Sequence, residues 1–334
     1  MARKRFDLRI IGFGLLTVLW SVQAMACINT PATDYQGRGF VPEDYTGDVL
    51  VEEMTTPREQ TYWFRDREHL IANARRDPNF DNLTELGVLL MLQRKHADAV
   101  RLFVAMERFF PGRYQTASNL GTALELMGHN RLALRWIRIG IRRNRDSHAG
   151  TEWLHARILE AKIALADDPR ALEGRSIAGV TFEREISPSL PARYPPGNDG
   201  TPVRPYQLNQ ALTYQLRERL QFVKPQDPVV ANLLDDWATL NLAGGPVENA
   251  AALYRLSWRY GAPRTPLSVA REGEARRVMA KRRQGNVNEH ELGFCSICTP
   301  WTPPERSAPR PGQARQLRPG DPPLPPPEPR PYWP

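Results

Sequence analysis

Two cysteines near the C-terminal end of the chain have the spacing of a chemically active motif. Cys295 and Cys298 form a Cys-x-x-Cys sequence, which occurs in thiol–disulfide catalysts, in metal sites and as a local disulfide. We predict a disulfide, because a redox catalyst normally carries this motif at the start of a helix in a β-α-β unit. A redox factor, a reduced pair, and a zinc site that adds His290 but lacks an evident fourth ligand stay open as alternatives.

The remaining reactive residue types show no catalytic arrangement. The other histidines lack metal or triad spacing; they are His69, His96, His129, His148 and His155. The sequence has neither a glycine-rich phosphate loop nor a Gly-x-Ser-x-Gly motif. The acidic pair Asp235-Asp236 has the character of a solvated position. We therefore expect a protein that is not an enzyme and that binds no metal and no cofactor.

One pattern occurs twice between Asn82 and Arg145, with the same offset at every position. Its first copy consists of Leu83, Leu86, Gly87, Leu90, Ala99, Phe103, Met106 and Pro111. Its second copy consists of Ala117, Leu120, Gly121, Leu124, Ala133, Ile137, Gly140 and Arg145. Apolar residues within each half recur at helical spacing, and a 34-residue period is typical of stacked two-helix units.

The pattern resembles the tetratricopeptide repeat. The Leu-Gly pair of that family's first helix is present in both copies, and the first copy also has the small residue, the aromatic and the closing proline of the second helix. In the second copy Ile137 replaces the aromatic and Arg145 replaces the proline. The resemblance extends over residues 82–165, as in exported bacterial proteins of unassigned activity. It implies an all-α solenoid of helical hairpins.

The resemblance also implies a working surface, since the first helices of such repeats line a concave groove that binds peptides. The residues expected in the groove are Thr84, Val88, Met91, Leu92, Ser118, Asn119, Thr122, Glu125 and Glu152. The family's clamp for a C-terminal carboxylate is not predicted, because Thr84 and Val88 stand where its Lys and Asn would be. The implied partner is a protein or peptide of unknown identity.

Segments on both sides extend this organisation. Predicted helices at 61–76 and 147–166 enclose repeats at about 80–113 and 114–147, which makes one helical block of 61–166. Residues 167–205 are predicted to form a linker, or a flap across the groove, with a short strand at 180–186. A second helical block at 206–284 contains a degenerate repeat-like hairpin, and residues 285–334 form a disordered, proline-rich tail.

The N-terminus has the features of an export signal. A basic start, an apolar run and the small-x-small sequence Ala24-Met25-Ala26 predict a signal peptide over residues 1–26. Cys27 follows directly and resembles the acylated cysteine of bacterial lipoproteins, although Ala24 replaces the usual leucine. A lipoprotein, a soluble exported protein and an uncleaved membrane anchor stay open, and residues 27–60 are predicted to be an extended tether.

One predicted helix is strongly basic. Arg131, Arg135, Arg138 and Arg142 form this basic surface, which is either solvated or in contact with anionic lipid or an acidic partner. The net charge of +8 does not indicate nucleic acid, because an export signal removes the chain from the cytoplasm. We expect a periplasmic or membrane-anchored scaffold of the cell envelope that binds a protein or peptide. The alternatives are a thiol or metal factor that uses Cys295 and Cys298, and a structural lipoprotein tether.

Overall fold

The computed structural model describes residues 31–57, 62–283 and 293–300. The predicted signal peptide, Cys27, His290 and most of the proline-rich tail lie outside the described residues. In the described part the chain forms 13 helices and one small two-stranded hairpin, which confirms the prediction of an all-α fold there. No helix in this part of the chain combines the length and the apolar character that a membrane span requires.

The first described segment belongs to the folded body. Strands β1 (Ala32–Thr33) and β2 (Gly39–Phe40) pair antiparallel, and helix α1 (Gly47–Thr55) follows. The Thr33 backbone NH and hydroxyl donate to the Glu248 carboxylate at 3.0 and 2.6 Å, while Leu50 and Met54 are buried one helical turn apart. The predicted extended tether over 27–60 is therefore wrong for residues 31–57. Polar groups of this segment form hydrogen bonds to the second half of the chain, and its apolar side chains pack against that half.

The repeat region consists of packed helix pairs. Its helices are α2 (Tyr62–Arg65), α3 (Arg67–Arg76), α4 (Phe80–Leu92), α5 (His96–Phe109), α6 (Tyr114–Leu126), α7 (Asn130–Arg143), α8 (Ser147–Gly150) and α9 (Glu152–Asp167). Helix α4 packs on α5, and α6 packs on α7. The single helix predicted at 61–76 is interrupted at Asp66. The arrangement is compatible with a helical repeat fold.

The two glycines of the repeated pattern have the same role. A Cβ atom on Gly87 would lie 2.3 Å from Cζ of Phe103, and one on Gly121 would lie 2.6 Å from Cδ1 of Ile137. Each glycine thus lets the second helix of its pair approach the first, as the sequence predicts. The side chains that fill these spaces, Phe103 and Ile137, are fully buried.

The second half adds four long helices: α10 (Pro205–Phe222), α11 (Pro228–Gly244), α12 (Val247–Tyr260) and α13 (Pro266–Arg283). Asp227 caps α11 by accepting from the Val230 NH at 2.8 Å. The core of this half includes Trp153, Leu154 and Ile158 of α9, whereas Leu159 of the same helix packs on the repeat core. The two predicted blocks are consequently joined through α9 rather than by a free linker.

Residues 167–205 also differ from the predicted linker. Ile177, Ala178 and Val180 are buried in the core around α11, so this segment is an ordered strap. The strand predicted at 180–186 does not form. The guanidinium of Arg271 instead donates to the backbone carbonyl oxygens of Glu183 and Glu185 at 2.5 and 3.0 Å, which gives this extended backbone a side-chain partner in place of a second strand.

Candidate functional site

A cavity of about 480 Å³ lies where the first helices of the repeat pair face α10. We call it the central cavity. Seven of the nine residues predicted for the groove line it: Val88, Met91, Leu92, Asn119, Thr122, Glu125 and Glu152. The other two, Thr84 and Ser118, do not. The Thr84 hydroxyl donates to the Phe80 carbonyl oxygen at 2.8 Å, and Ser118 is buried against Gly140.

Helix α10 closes the groove, which the sequence did not predict. Six of its residues line the central cavity: Tyr214, Gln215, Glu218, Arg219, Gln221 and Phe222. An adjoining stripe of α10 carries Leu208, Leu212 and Leu216, which are fully buried in the second core. Displacing α10 would expose these leucines at about 1.5–3 kcal/mol each. The helix is therefore a fixed wall of the cavity.

An ion cluster forms the polar wall of the cavity. The Glu125 carboxylate of α6 is contacted by Arg219 Nη1 of α10 at 2.5 Å, by His155 Nε2 at 2.7 Å and by Lys162 Nζ at 2.9 Å. His155 and Lys162 both belong to α9. The Glu125 carboxylate thus connects α6, α9 and α10.

A second carboxylate extends the cluster. Glu152, at the start of α9, has a side chain that is 1% exposed. It contacts His148 Nδ1 through one oxygen, and its other oxygen lies 3.3 Å from His155 Nδ1. The His148 ring stacks on the Tyr214 ring of α10, with 5.0 Å between the ring centroids. His155 therefore lies between two carboxylates, although its spacing in the sequence gives no indication of this.

The cluster favours the charged forms of Glu125, Glu152 and His155. Burial alone would raise the pKa of the Glu125 carboxyl, but the charges of Arg219, His155 and Lys162 outweigh it and hold that pKa well below its usual value. For Glu152, burial is likewise outweighed by hydrogen bonds from the two histidines, which lower its pKa to about 2. Burial would lower the pKa of His155, yet its two carboxylate partners raise it.

Two polar atoms of the cluster lack a hydrogen-bond partner within the described chain. They are Nε of Arg219 and Oε2 of Glu152, and both atoms are buried. The glutamate oxygen still has His155 Nδ1 nearby at 3.3 Å. The Arg219 Nε, whose other guanidinium nitrogens contact Glu125, is thus the donor left over. A buried donor without a partner costs free energy of folding.

The cysteine pair lies elsewhere. Cys295 and Cys298 are joined by a disulfide, and neither lines the central cavity. The Ser296 NH donates to the Gly244 carbonyl oxygen at 2.8 Å, and Ile297 is fully buried in the core around α11. Across residues 31–57, 62–283 and 293–300, no three His, Cys, Asp or Glu side chains are grouped to hold a metal ion.

The predicted basic surface is partly neutralised by ion pairs. Arg131 forms an exposed ion pair with Asp167 at 3.3 Å, and Arg138 forms one with Glu160 at 2.7 Å. Arg135 and Arg142 are exposed as well. Pairing of α7 with acids of α9 reduces the positive charge that this face presents.

A second cavity, of about 660 Å³, separates the strap from α11 and α13. Asp235 and Asp236 line it, together with Arg271. This acidic pair, which was predicted to be solvated, is half-buried. Burial raises the pKa of both carboxyls, in the case of Asp236 to about 7, even though Ser176 donates a hydrogen bond to it at 2.6 Å.

No protein-family model and no curated protein matches the chain.

Proposed function

We propose that this chain is a binding protein of the tetratricopeptide type, and that its central cavity holds a ligand group or the end of a partner chain. The observation that carries the proposal is the position of the predicted groove residues. Seven of them line one cavity together with a buried ion cluster. The equivalent packing of Gly87 and Gly121, which occupy the same position in the two copies of the pattern, supports the repeat assignment.

The shape of the site favours a compact ligand over a long peptide. A tetratricopeptide groove would accept an extended peptide if its concave face were open, but here α10 occupies much of that face. A cavity of about 480 Å³ lies within the range of roughly 300–1,000 Å³ typical of small-ligand sites. We therefore propose that the cavity binds either a small molecule or a short terminal segment.

The carboxylates of Glu125 and Glu152 in the central cavity favour binding over acid–base catalysis. A general acid or base works best when its pKa is near the operating pH. The carboxyls of Glu125 and Glu152 instead have pKa values far below neutrality. Such permanently charged, mutually paired groups are suited to orienting a polar ligand.

The alternative function, in which Cys295 and Cys298 act as a thiol–disulfide factor, has less support than ligand binding in the central cavity. A reactive thiol needs access to its substrate, whereas Cys295 is buried beside the fully buried Ile297. We propose that the disulfide fixes the local shape of the chain segment 293–300, which Ile297 and the Ser296 NH attach to the second core. Export to the cell envelope, with or without a lipid at Cys27, remains our proposal from the N-terminal sequence.

Site-specific photocrosslinking tests the binding function. A small diazirine amino acid, about the size of leucine, would be placed at Thr122, which lines the cavity, or at Thr84, which does not. The two threonines are closely matched, since each is half-buried and each donates to the carbonyl oxygen four residues before it, Phe80 or Ser118. After irradiation in producing cells, mass spectrometry should find an adduct at position 122 and not at 84. No adduct at 122, or equal adducts at both positions, would contradict the proposal.

A further inference from the structure

The central cavity has two chemically different sides. Val88, Met91 and Leu92 of α4 supply an apolar side, which Phe222 of α10 extends. The other side is the ion cluster around Glu125. A ligand that fills such a site gains binding free energy by burying an apolar body against the apolar side. Its polar group avoids a desolvation cost only if that group forms a hydrogen bond or ion pair on the polar side.

The polar side has a surplus of positive charge. With His155 protonated and His148 counted as neutral, the cations Arg219, Lys162 and His155 outnumber the carboxylates Glu125 and Glu152 by one. The remaining charged residues of the lining, Arg94 and Glu218, cancel each other in net charge. The charge that would neutralise the cavity is therefore a single negative one.

The polar side also offers unused hydrogen-bond donors. Lys162 has three N–H donors, of which one is used on Glu125, and its side chain is 25% exposed. The other donors of this ammonium match a carboxylate, whose two oxygens accept several hydrogen bonds.

We propose that the central cavity binds a small amphipathic carboxylate, with the carboxylate on the Lys162 ammonium and the aliphatic body against Val88, Met91 and Leu92. This inference rests on the proposed function, because it names the ligand class of the same cavity. It differs from the clamp that grips the end of a peptide in the related repeats. The positions of that clamp on the first helix of the repeat pair are here Thr84 and Val88, and the cationic group comes from α9.

Calorimetric titration of the full chain at pH 7 tests the ligand class. The probes are decanoate, decan-1-ol and decylammonium, each below its micelle concentration, which share the apolar body and differ in charge. We expect decanoate to bind at one site and at least tenfold more tightly than the alcohol or the ammonium. Equal or tighter binding of either of these two would overturn the inference.

Four variants test where the probes bind and which charged side chain binds the carboxylate. Lys162→Met should weaken decanoate binding at least tenfold and leave decanol binding unchanged, and Lys162→Arg should restore most of the affinity. Arg135→Met, on the exposed face of α7, is the matched control and should bind decanoate like the unchanged protein. Thr122→Trp should abolish binding of every probe by filling the cavity. Decanoate binding that is insensitive to Lys162→Met or Thr122→Trp would overturn the inference.

A peptide probe distinguishes a small carboxylate ligand from the C-terminal carboxylate of a partner chain. The probe is an acetylated Ala-Leu-Leu tripeptide with a free C-terminus, compared with its C-terminal amide. We expect the free acid to bind more weakly than decanoate. Binding of the tripeptide acid tenfold more tightly than decanoate would assign the cavity to a chain end and overturn the small-ligand inference. Failure of all the probes would overturn the inference alone, because the crosslink at position 122 tests the proposed function separately.

Discussion

Glu125 of α6 and Arg219 of α10 lie 94 residues apart in the sequence and form a buried ion pair. Their side chains are only 4% and 8% exposed. The pair attaches α10 to α6, and His155 and Lys162 of α9 contact the same carboxylate. This one carboxylate therefore links the repeat region, the bridging helix and the helix that closes the cavity.

A double-mutant cycle measures this link. Removing one member of a buried pair leaves an uncompensated charge, so Glu125→Gln or Arg219→Met alone should lower the free energy of unfolding by about 3–5 kcal/mol. The double variant should cost less than the sum of the two, with a coupling above about 1 kcal/mol by urea denaturation. The same cycle on the exposed pair Arg138 and Glu160 should give a coupling below about 1 kcal/mol. Additive effects at Glu125 and Arg219 would show that the pair does not form.

The ion cluster also predicts a pH-dependent stability. The histidine concerned is His155, which is faced by Glu125 of α6, by Arg219 of α10, by Glu152 and Lys162 of its own helix and by His148 beyond Glu152. Its pKa is raised above the unfolded value of 6.5. Its contribution is therefore fully present below pH 6.5 and is lost as the pH rises through the folded value.

Comparison with a variant isolates this contribution. We expect the difference in unfolding free energy between the unchanged protein and His155→Gln to shrink by on the order of 1 kcal/mol between pH 6 and pH 9. Glu152 behaves oppositely, because its pKa falls from 4.5 to about 2 on folding. Its contribution is present above pH 4.5 and is lost as the pH falls towards 2. A His155→Gln difference that is constant with pH would contradict the raised pKa.

The close approach of helices at the repeated glycines gives a third prediction. A methyl group on Gly87 would overlap the buried Phe103 ring, so Gly87→Ala should destabilise the protein by about 1–3 kcal/mol. Gly273 of α13 is the matched control, since a Cβ there meets nothing within 4 Å. Gly273→Ala should stabilise the helix by about 0.5–1 kcal/mol. Thermal unfolding of both variants would be compared, and equal effects would contradict the packing of the repeat pair.

The disulfide should contribute less to the free energy of unfolding than the buried Ile297 side chain, which lies between the two cysteines in the sequence. The loop between Cys295 and Cys298 is very short, so its closure stabilises by only ~2 kcal/mol in the loop-entropy description. Ile297 is fully buried, and Ile297→Ala should cost about 2–5 kcal/mol. Urea denaturation of Ile297→Ala and of the double variant Cys295→Ser, Cys298→Ser would rank the two effects. A larger loss from the cysteine variant would contradict this order.

The repeat helices could be predicted from the sequence because their signals are local. Gly87 and Phe103 belong to neighbouring helices of one pair and pack together, and the same relation recurs in the next pair at Gly121 and Ile137. Most of the groove residues could be predicted for the same reason, since each lies on the inner face of a regular first helix. The resemblance to the tetratricopeptide repeat, which implies a groove lined by the first helices, led to the prediction that residues such as Thr122 line a binding site.

The other half of the site depends on long-range contacts that no local pattern encodes. Arg219 is one of many arginines in the sequence, and only the folding of α10 onto the repeats brings it to Glu125. The strap was predicted to be a linker because its proline and glycine content resembles that of a loop. Its order comes instead from distant partners, namely Arg271 for its carbonyl groups and Asn232 for its backbone at Arg175 and Ile177.

Native mass spectrometry of the protein, purified without denaturation from cells that naturally make it, tests the central claim most directly. The unchanged protein would be compared with Thr122→Trp, which fills the central cavity, and with Thr84→Trp, which adds the same bulk outside it. We predict a non-covalent added mass on the unchanged protein and on the Thr84→Trp variant that is lost from Thr122→Trp. An added mass that persists in Thr122→Trp, or no added mass on the unchanged protein, would contradict a binding function for this cavity.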